Sequence, residues 1–332
     1  MKKKIAIIGA GIGGLTLALQ LKQGADVTVF EKSRGLGGRM ATRRVEDFSF
    51  DHGAQFFTAR EAAFKRFLEP SLASGLVQEW KGKVITFAKG KKTWKRIWYE
   101  PHFVCSPGMN SLCKHIAEGV NVRVLCEVAP LRERKESAWE LFDTGNNFLG
   151  AFDLVISTAP PLQTVRLFSP FLSSRSAIRE EKLLACYTLM VGISKPWAQS
   201  WIAAKVLDSP LDWIGINSSK PGRNPALTTI VAQTENSWAQ NHVDDDQEKI
   251  LSILRSELEA FLRVDLEGAD HISLHRWRYA IHEKAPDDDF RETPYFDPDL
   301  QLASVGDWCG RSRIEDVWLG AYQLARKIIA KS

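Results

Sequence analysis

The chain has 332 residues, of which 44% are hydrophobic and 25% charged. That is the composition of a soluble globular protein with chain enough for about two domains, and it excludes wholesale disorder. Forty-four Lys and Arg against forty Asp and Glu leave a dispersed formal charge of +4. With no basic helix carrying interleaved aromatics, nucleic-acid recognition is not expected.

Lys2, Lys3 and Lys4 precede an apolar stretch over residues 5–21, the outline of a signal peptide. The stretch holds four glycines, however, and no small-residue cleavage site follows. It reads better as a buried parallel strand (residues 4–8), a Gly-rich turn and a helix (15–23) that Gly24 ends. A second strand (27–30) closes on Glu31.

The turn, Gly9-Ala10-Gly11-Ile12-Gly13-Gly14, fits G-x-G-x-x-G, and Glu31 lies twenty residues after Gly11. Gly9 permits a tight turn, Gly11 lets the backbone approach a pyrophosphate, and Gly14 lets helix and strand pack closely. The helix N-terminus around Ile12 and Gly13 offers free N–H groups to phosphate. Glu31 accepts hydrogen bonds from a ribose diol. Strand, turn, helix, strand and acid in register make a strong dinucleotide signal.

The next residues favour FAD over NAD. Lys32, Arg34, Gly37, Gly38, Arg39 and Met40 belong to a run that resembles the extension after the acid in flavoprotein amine oxidases. The paired glycines let backbone lie along the cofactor, and the arginines offer guanidinium groups to pyrophosphate. FAD then implies a second fingerprint near the C-terminus. A strand at 300–305, Gly306-Asp307, and a helix at 314–329 resemble it. Asp307 is expected at the ribityl chain, and the backbone at Ile314 and Glu315 at the flavin N1–C2=O edge. In the middle of the chain, 120–124 with Glu127-Val128 fits the strand that holds adenine. Residues 152–161, with Ala159 in the turn, fit the strand that leaves the cofactor domain.

Between Pro161 and Pro298 the pattern changes. Residues 183–194, 213–218, 227–233 and 272–279 read as strands, and 244–263 as a helix capped by Asp244 or Asp245. Residues 285–298 read as a loop. The expected fold is α/β: a discontinuous Rossmann-type FAD-binding domain (1–75, 101–161 and 295–332) and an α+β substrate domain on a mostly antiparallel sheet (76–100 and 162–294). Five cysteines with no C-x-x-C pair indicate free thiols, a cytoplasmic protein and no cysteine-based metal site. Beyond the fingerprint, no apolar run approaches a membrane span. Most of the 11 tryptophans are expected in the core.

Several further segments resemble renalase, particularly its bacterial forms. They are residues 31–42, the run Asp51-His52-Gly53-Ala54-Gln55-Phe56-Phe57-Thr58, residues 218–223, Ser237-Trp238 with His242, and His275-Arg276-Trp277-Arg278-Tyr279-Ala280. The resemblance implies a non-covalent FAD oxidase. Its substrate class is a dihydronicotinamide dinucleotide with the hydride at ring position 2 or 6. The flavin takes that hydride, and O2 reoxidises it to give hydrogen peroxide. Such hydride chemistry requires neither a protein nucleophile nor a metal. Gln55, His242, Trp277, Tyr187 and Arg278 are the candidates at the reacting rings, with Lys220 and Arg223 either near substrate phosphates or in a solvated loop. Two alternatives stay open. One is a flavin-containing amine oxidase, whose cofactor motifs are equivalent and which often uses a lysine-held water. The other is a non-catalytic flavin- or NADH-binding redox sensor. A covalent flavin through Cys309 is not expected, because the corresponding cysteine of monoamine oxidases sits in a different local motif. Preferred isomer, NAD against NADP, and oligomeric state are not legible.

Overall fold

The computed structural model describes residues 2–169, 171–172, 178, 183–283 and 293–331. Two large sheets organise these residues. The first has six strands in the order Tyr295–Asp297, Leu302–Ser304, Leu154–Ser157, Lys3–Ile8, Ala25–Phe30, Asn121–Arg123. All neighbours run parallel except Tyr295–Asp297, which lies antiparallel at one edge. Ile5, Ala6, Ile7, Val29, Val155 and Ile156 are all buried, as expected for strands covered on both faces. The helices Ile12–Leu21 and Ile314–Ile329 pack against one another beside this sheet, with Gly13 facing the Val317 side chain.

The second sheet has seven strands, in the order His271–His282, Leu183–Ile193, Thr228–Thr234, Leu211–Ile216, Trp201–Leu207, Lys83–Ala88, Trp94–Arg96. It is antiparallel except where Trp201–Leu207 meets Lys83–Ala88. The helix Gln247–Leu262 buries Ile250, Leu254, Leu258 and Leu262 in a cluster with Leu189, Ile214 and Ile230 from this sheet.

Several boundaries differ from the sequence reading. The first helix begins at Ile12, because burial of Gly13 against Val317 and of Gly14 against the Gly9 turn outweighs glycine's poor helix propensity. The helix after residue 244 is capped by Asp246, whose carboxylate accepts from the Glu248 and Lys249 N–H groups, and not by Asp244 or Asp245. Phe152 ends a separate strand, Phe148–Phe152, that pairs in a three-stranded sheet. Val128 forms only an isolated bridge to Asp143. Of the expected loop 285–298, residues 285–292 lie outside the described residues, and Tyr295–Asp297 is the edge strand.

Candidate active site

A cavity of about 1370 Å³ runs from the first Gly-rich turn to the face of the seven-stranded sheet. It exceeds the roughly 300–1,000 Å³ of a typical small-molecule pocket, so it has room for a dinucleotide and a second molecule.

At the cofactor end the backbone does most of the building. Gly9 adopts φ +105°, a conformation that favours glycine, and a Cβ there would meet Thr158 Oγ1 at 2.6 Å. Gly14 lies outside the lining but sets the packing, since a Cβ would stand 1.9 Å from the Gly9 carbonyl oxygen. Gly11 caps the helix without any side-chain hydrogen bond, and Gly11, Ile12 and Gly13 line the cavity. The C-terminal helix starts in the same way. Its cap, Arg313, has no side-chain capping bond, and Arg313 and Ile314 also line the cavity. Two helix N-termini with free N–H groups thus open on one space, which suits pyrophosphate at one and a negatively polarised ring edge at the other. The Asn110 side-chain oxygen is buried at this lining with no hydrogen-bond partner among the described residues. These features fit FAD.

Glu31 is buried at the rim. Its two oxygens accept from the Ala10 and Ser33 N–H groups, both at 2.8 Å, which aims the carboxylate at the cavity. Gly37 donates to the Ala10 carbonyl, so the loop Lys32–Met40 lies along the Gly-rich turn. Lys32, Arg34, Gly37, Gly38, Arg39, Met40, Val128 and Ala159 all line the cavity. Arg39 does more than face phosphate: it pairs with Asp307 at 2.6 Å and donates to the Ala280 carbonyl. Burial alone would raise the Asp307 pKa. The charge of Arg39, with hydrogen bonds from His282 and Arg39, outweighs it and holds the carboxyl well below the usual range. The two fingerprints are therefore tied by a charge-assisted bond.

The opposite wall is aromatic. The His52 and Trp277 rings stack at 5.2 Å, and His275 stands edge-on to both, at 4.8 and 4.5 Å. Trp277 Nε1 donates to the His52 carbonyl at 2.9 Å. Arg43 reaches His275 Nδ1 at 3.2 Å. Burial pushes both imidazoles down to about 4, aided by Arg43 at each and by His275 at His52, so both rings are neutral at pH 7. Arg43 and Arg276 also line this end. Their hydrogen bonds go to a neutral imidazole and to the Val243 carbonyl, so their charge remains available to an anion. Arg278 lines it too, paired with Asp244 at 2.9 Å.

Of the five residues expected at the reacting rings, only Trp277 and Arg278 reach the cavity. Tyr187 is fully buried in the core of the second sheet, its hydroxyl donating to the His242 carbonyl. His242 stacks on Trp238 at 4.3 Å, away from the lining. Gln55 lies behind the wall, donating to the Asp51 and Gly53 carbonyls. The side chain of Glu315 is turned from the lining, its carboxylate accepting from the backbone N–H groups of Arg60 and Glu61, while the expectation for Glu315 concerned its backbone at the helix start. Lys220 and Arg223 are buried, neither solvated nor part of the lining. The residues missed were His52, His275, Arg43 and Arg276. Strand alternation carried a signal for one of them, since His275 lies two residues before Trp277 and shares its face.

Residues 59–329 match the model of the flavin containing amine oxidoreductase family, and residues 7–70 that of the NAD(P)-binding Rossmann-like domain. A 51-residue stretch is 49% identical to the 4,4'-diapophytoene desaturase (4,4'-diaponeurosporene-forming) of Staphylococcus aureus strain Newman. It spans 15% of this chain and only 10% of that protein. Among solved structures, a candidate protoporphyrinogen oxidase from Exiguobacterium sp. 255-15 superposes with TM-score 0.78 at 12% identity, covering 100% of both chains. A wild-type putrescine oxidase bound to putrescine gives 0.74 at 14% identity over 99% of each chain. An oxidoreductase from Methanosarcina mazei gives 0.72 at 16%, over 97% of this chain and 100% of the other. These likenesses show the fold. Among the described residues, no helix is long and apolar enough to cross a membrane. The family match covers most of the chain, and the cavity suits the cofactor that family uses; the protein belongs to the flavin containing amine oxidoreductases and is an FAD-dependent oxidoreductase.

Proposed function

We propose that the chain oxidises 2- or 6-dihydronicotinamide isomers of NAD(P)H, as its resemblance to renalase implies. The observation that carries this reading is the chemistry of the second wall: flat neutral rings beside Arg43, whose charge is available. A nicotinamide needs a flat aromatic surface, and its pyrophosphate needs cations. A protonated amine would meet Arg43 and Arg276 as like charges, which disfavours the amine-oxidase alternative. A wall of this kind also argues against a redox sensor without a substrate.

FAD, when bound, would supply the hydride acceptor and the route for the electrons to O2, with NAD(P)+ and hydrogen peroxide as the products. The protein's share is positional. Trp277 and His52 form the plate against which the ring lies, Arg43 fixes His275, and Arg276 and Arg278 guide the anionic portion. Gly9, Gly11, Glu31, Arg34 and Asp307 hold the cofactor, without a covalent bond. Cys309 is buried outside the lining, which supports that reading. In this scheme residues 1–75, 101–161 and 295–332 form the FAD half, and 76–100 with 162–294 the substrate half. Five cysteines without a disulfide among them suit a cytoplasmic setting.

The test is anaerobic flavin bleaching in stopped flow. The 2- or 6-dihydro isomer is expected to bleach the flavin at least roughly 10²-fold faster than 4-dihydro NADH, because a misplacement of about 1 Å costs that much. Faster bleaching by putrescine or benzylamine than by every dihydronicotinamide overturns the reading.

A further inference from the structure

Lys220 and Arg223 follow the strand Leu211–Ile216 in a turn packed beneath the segment 51–55. Their side chains are 0% and 2% exposed, and both reach one oxygen of Asp51, itself 0% exposed. Lys220 Nζ stands at 3.1 Å and Arg223 Nη2 at 2.5 Å. The other Asp51 oxygen accepts from Thr42 Oγ1 at 2.7 Å and from the Met109 N–H at 2.9 Å. Two cations against one carboxylate leave a formal surplus of one positive charge away from water. Both cations reach the same Asp51 oxygen and the carboxylate neutralises only one charge, so burying the second costs stability, and the lysine is the one that also reaches beyond Asp51.

The lysine has a second contact. Its Nζ lies 3.4 Å from Gln55 Oε1 and 5.2 Å above the Trp80 ring. Gln55 Nε2 donates to the Gly53 carbonyl at 3.2 Å, and Gln233 Nε2 donates to the same carbonyl at 2.8 Å. His52, Gly53, Ala54 and Gln233 line the cavity. The surplus charge therefore sits behind the wall, linked to it through Gln55, where little water intervenes to screen it.

We infer that Lys220 is a positioning residue that holds the 52–54 wall through Gln55 and whose ammonium favours the negatively charged, two-electron-reduced state of the bound cofactor. This rests on FAD as the cofactor and not on the choice of substrate. Reduction by two electrons and one proton leaves the flavin ring anionic, and a nearby fixed cation lowers the free energy of that state. The same charge makes the effect sensitive to pH. The groups facing Lys220 are Asp51, Arg223 and Cys105. Burial lowers the lysine most, Asp51 opposes and Arg223 adds to the fall, so it titrates at about 8. Asp51 is held at about 2, and burial pushes the Cys105 thiol up to about 12, so neither changes charge near neutrality. Reduction of the flavin raises the lysine's pKa. Between its values in the oxidised and reduced protein, each reduction takes one additional proton onto Lys220.

The experiment uses the full-length, FAD-loaded protein and its Lys220→Met variant. The flavin midpoint potential is measured by dye-coupled dithionite titration from pH 6 to pH 10. Expected for the variant are retained FAD, an unchanged or higher melting temperature, and a more negative potential at pH 7. The wild type is expected to show a steeper potential–pH segment beginning near pH 8, which the variant lacks. A folded variant with the wild-type potential and profile overturns the inference, as does a lower melting temperature with no change in potential. Should Lys220→Met lose FAD, the wild-type profile decides: no steeper segment near pH 8 overturns it. No substrate enters the measurement, so failure of the dihydronicotinamide reading leaves this result standing.

Discussion

The two ends of the cavity are made of different material. At the cofactor end the working groups are backbone N–H donors and glycines from short contiguous runs, residues 9–14, 31–40 and 306–314. At the other end they are side chains brought from opposite parts of the sequence. Arg43 meets His275 across 232 residues, and Trp277 meets the His52 carbonyl across 225. A backbone site is encoded by spacing and by the absence of side chains. A side-chain wall depends on strand register and on which face of a sheet meets which loop. Substitutions at the first end should therefore act on cofactor retention, and at the second on turnover with cofactor retained.

The sharpest version of that contrast lies within the glycine turn. Gly14→Ala drives a Cβ to 1.9 Å from the Gly9 carbonyl oxygen, so little folded, FAD-loaded protein is expected on expression. Gly11→Ala meets no protein atom within 4 Å, and its methyl group stands in the cavity. The apoprotein should keep its melting temperature while FAD binds roughly 10- to 100-fold more weakly, the equivalent of about 1–3 kcal/mol for overpacking. Calorimetric titration of apoprotein with FAD measures both variants. Equal effects on fold and cofactor would erase the distinction between packing glycine and contact glycine.

Glu31→Ala comes next. It removes a carboxylate that orders Ala10 and Ser33 and faces the cavity. Each charged hydrogen bond lost costs roughly 1.5–3 kcal/mol, so FAD affinity should fall at least about tenfold. Unchanged FAD affinity takes Glu31 out of the site.

At the aromatic end, Trp277→Ala should leave FAD occupancy intact and slow flavin bleaching by the dihydronicotinamide by up to about 10²-fold, through loss of the aligned pose. His242→Ala serves as its control. His242 packs on Trp238 outside the lining, so bleaching should be nearly unchanged and only thermal stability should drop slightly. A large kinetic effect at His242 would place it closer to the substrate than its position in the fold implies.

A further expected effect is on stability against pH. His52 and His275 have folded pKa values lowered from 6.5 to about 4. The unfolded chain binds their protons first as pH falls. Their contribution is thus fully present above about pH 6.5 and is lost as pH drops towards 4. Melting curves should show the decline within that window, and Arg43→Met, which removes a charge depressing both, should make it shallower.

The legible parts of the chain share a property: their chemistry is local. G-x-G-x-x-G and the acid twenty residues beyond Gly11 work within a few residues of one another, so spacing encodes a Rossmann-type dinucleotide site, while the paired glycines at 37–38 and the Gly306-Asp307 turn point to FAD through their resemblance to flavoprotein amine oxidases. The segment of Trp277 resembles a narrower family, and its side chain lines the cavity. Tertiary structure decided everything that depends on register. It sent Tyr187 into the core, turned His242 onto Trp238, and set Gln55 behind the wall instead of on it. It also paired Arg39 with Asp307 across 268 residues and buried Lys220 and Arg223 on Asp51. In a strand, one residue of register moves a side chain from one face to the other, and no property of the residue itself records which face will meet the cavity.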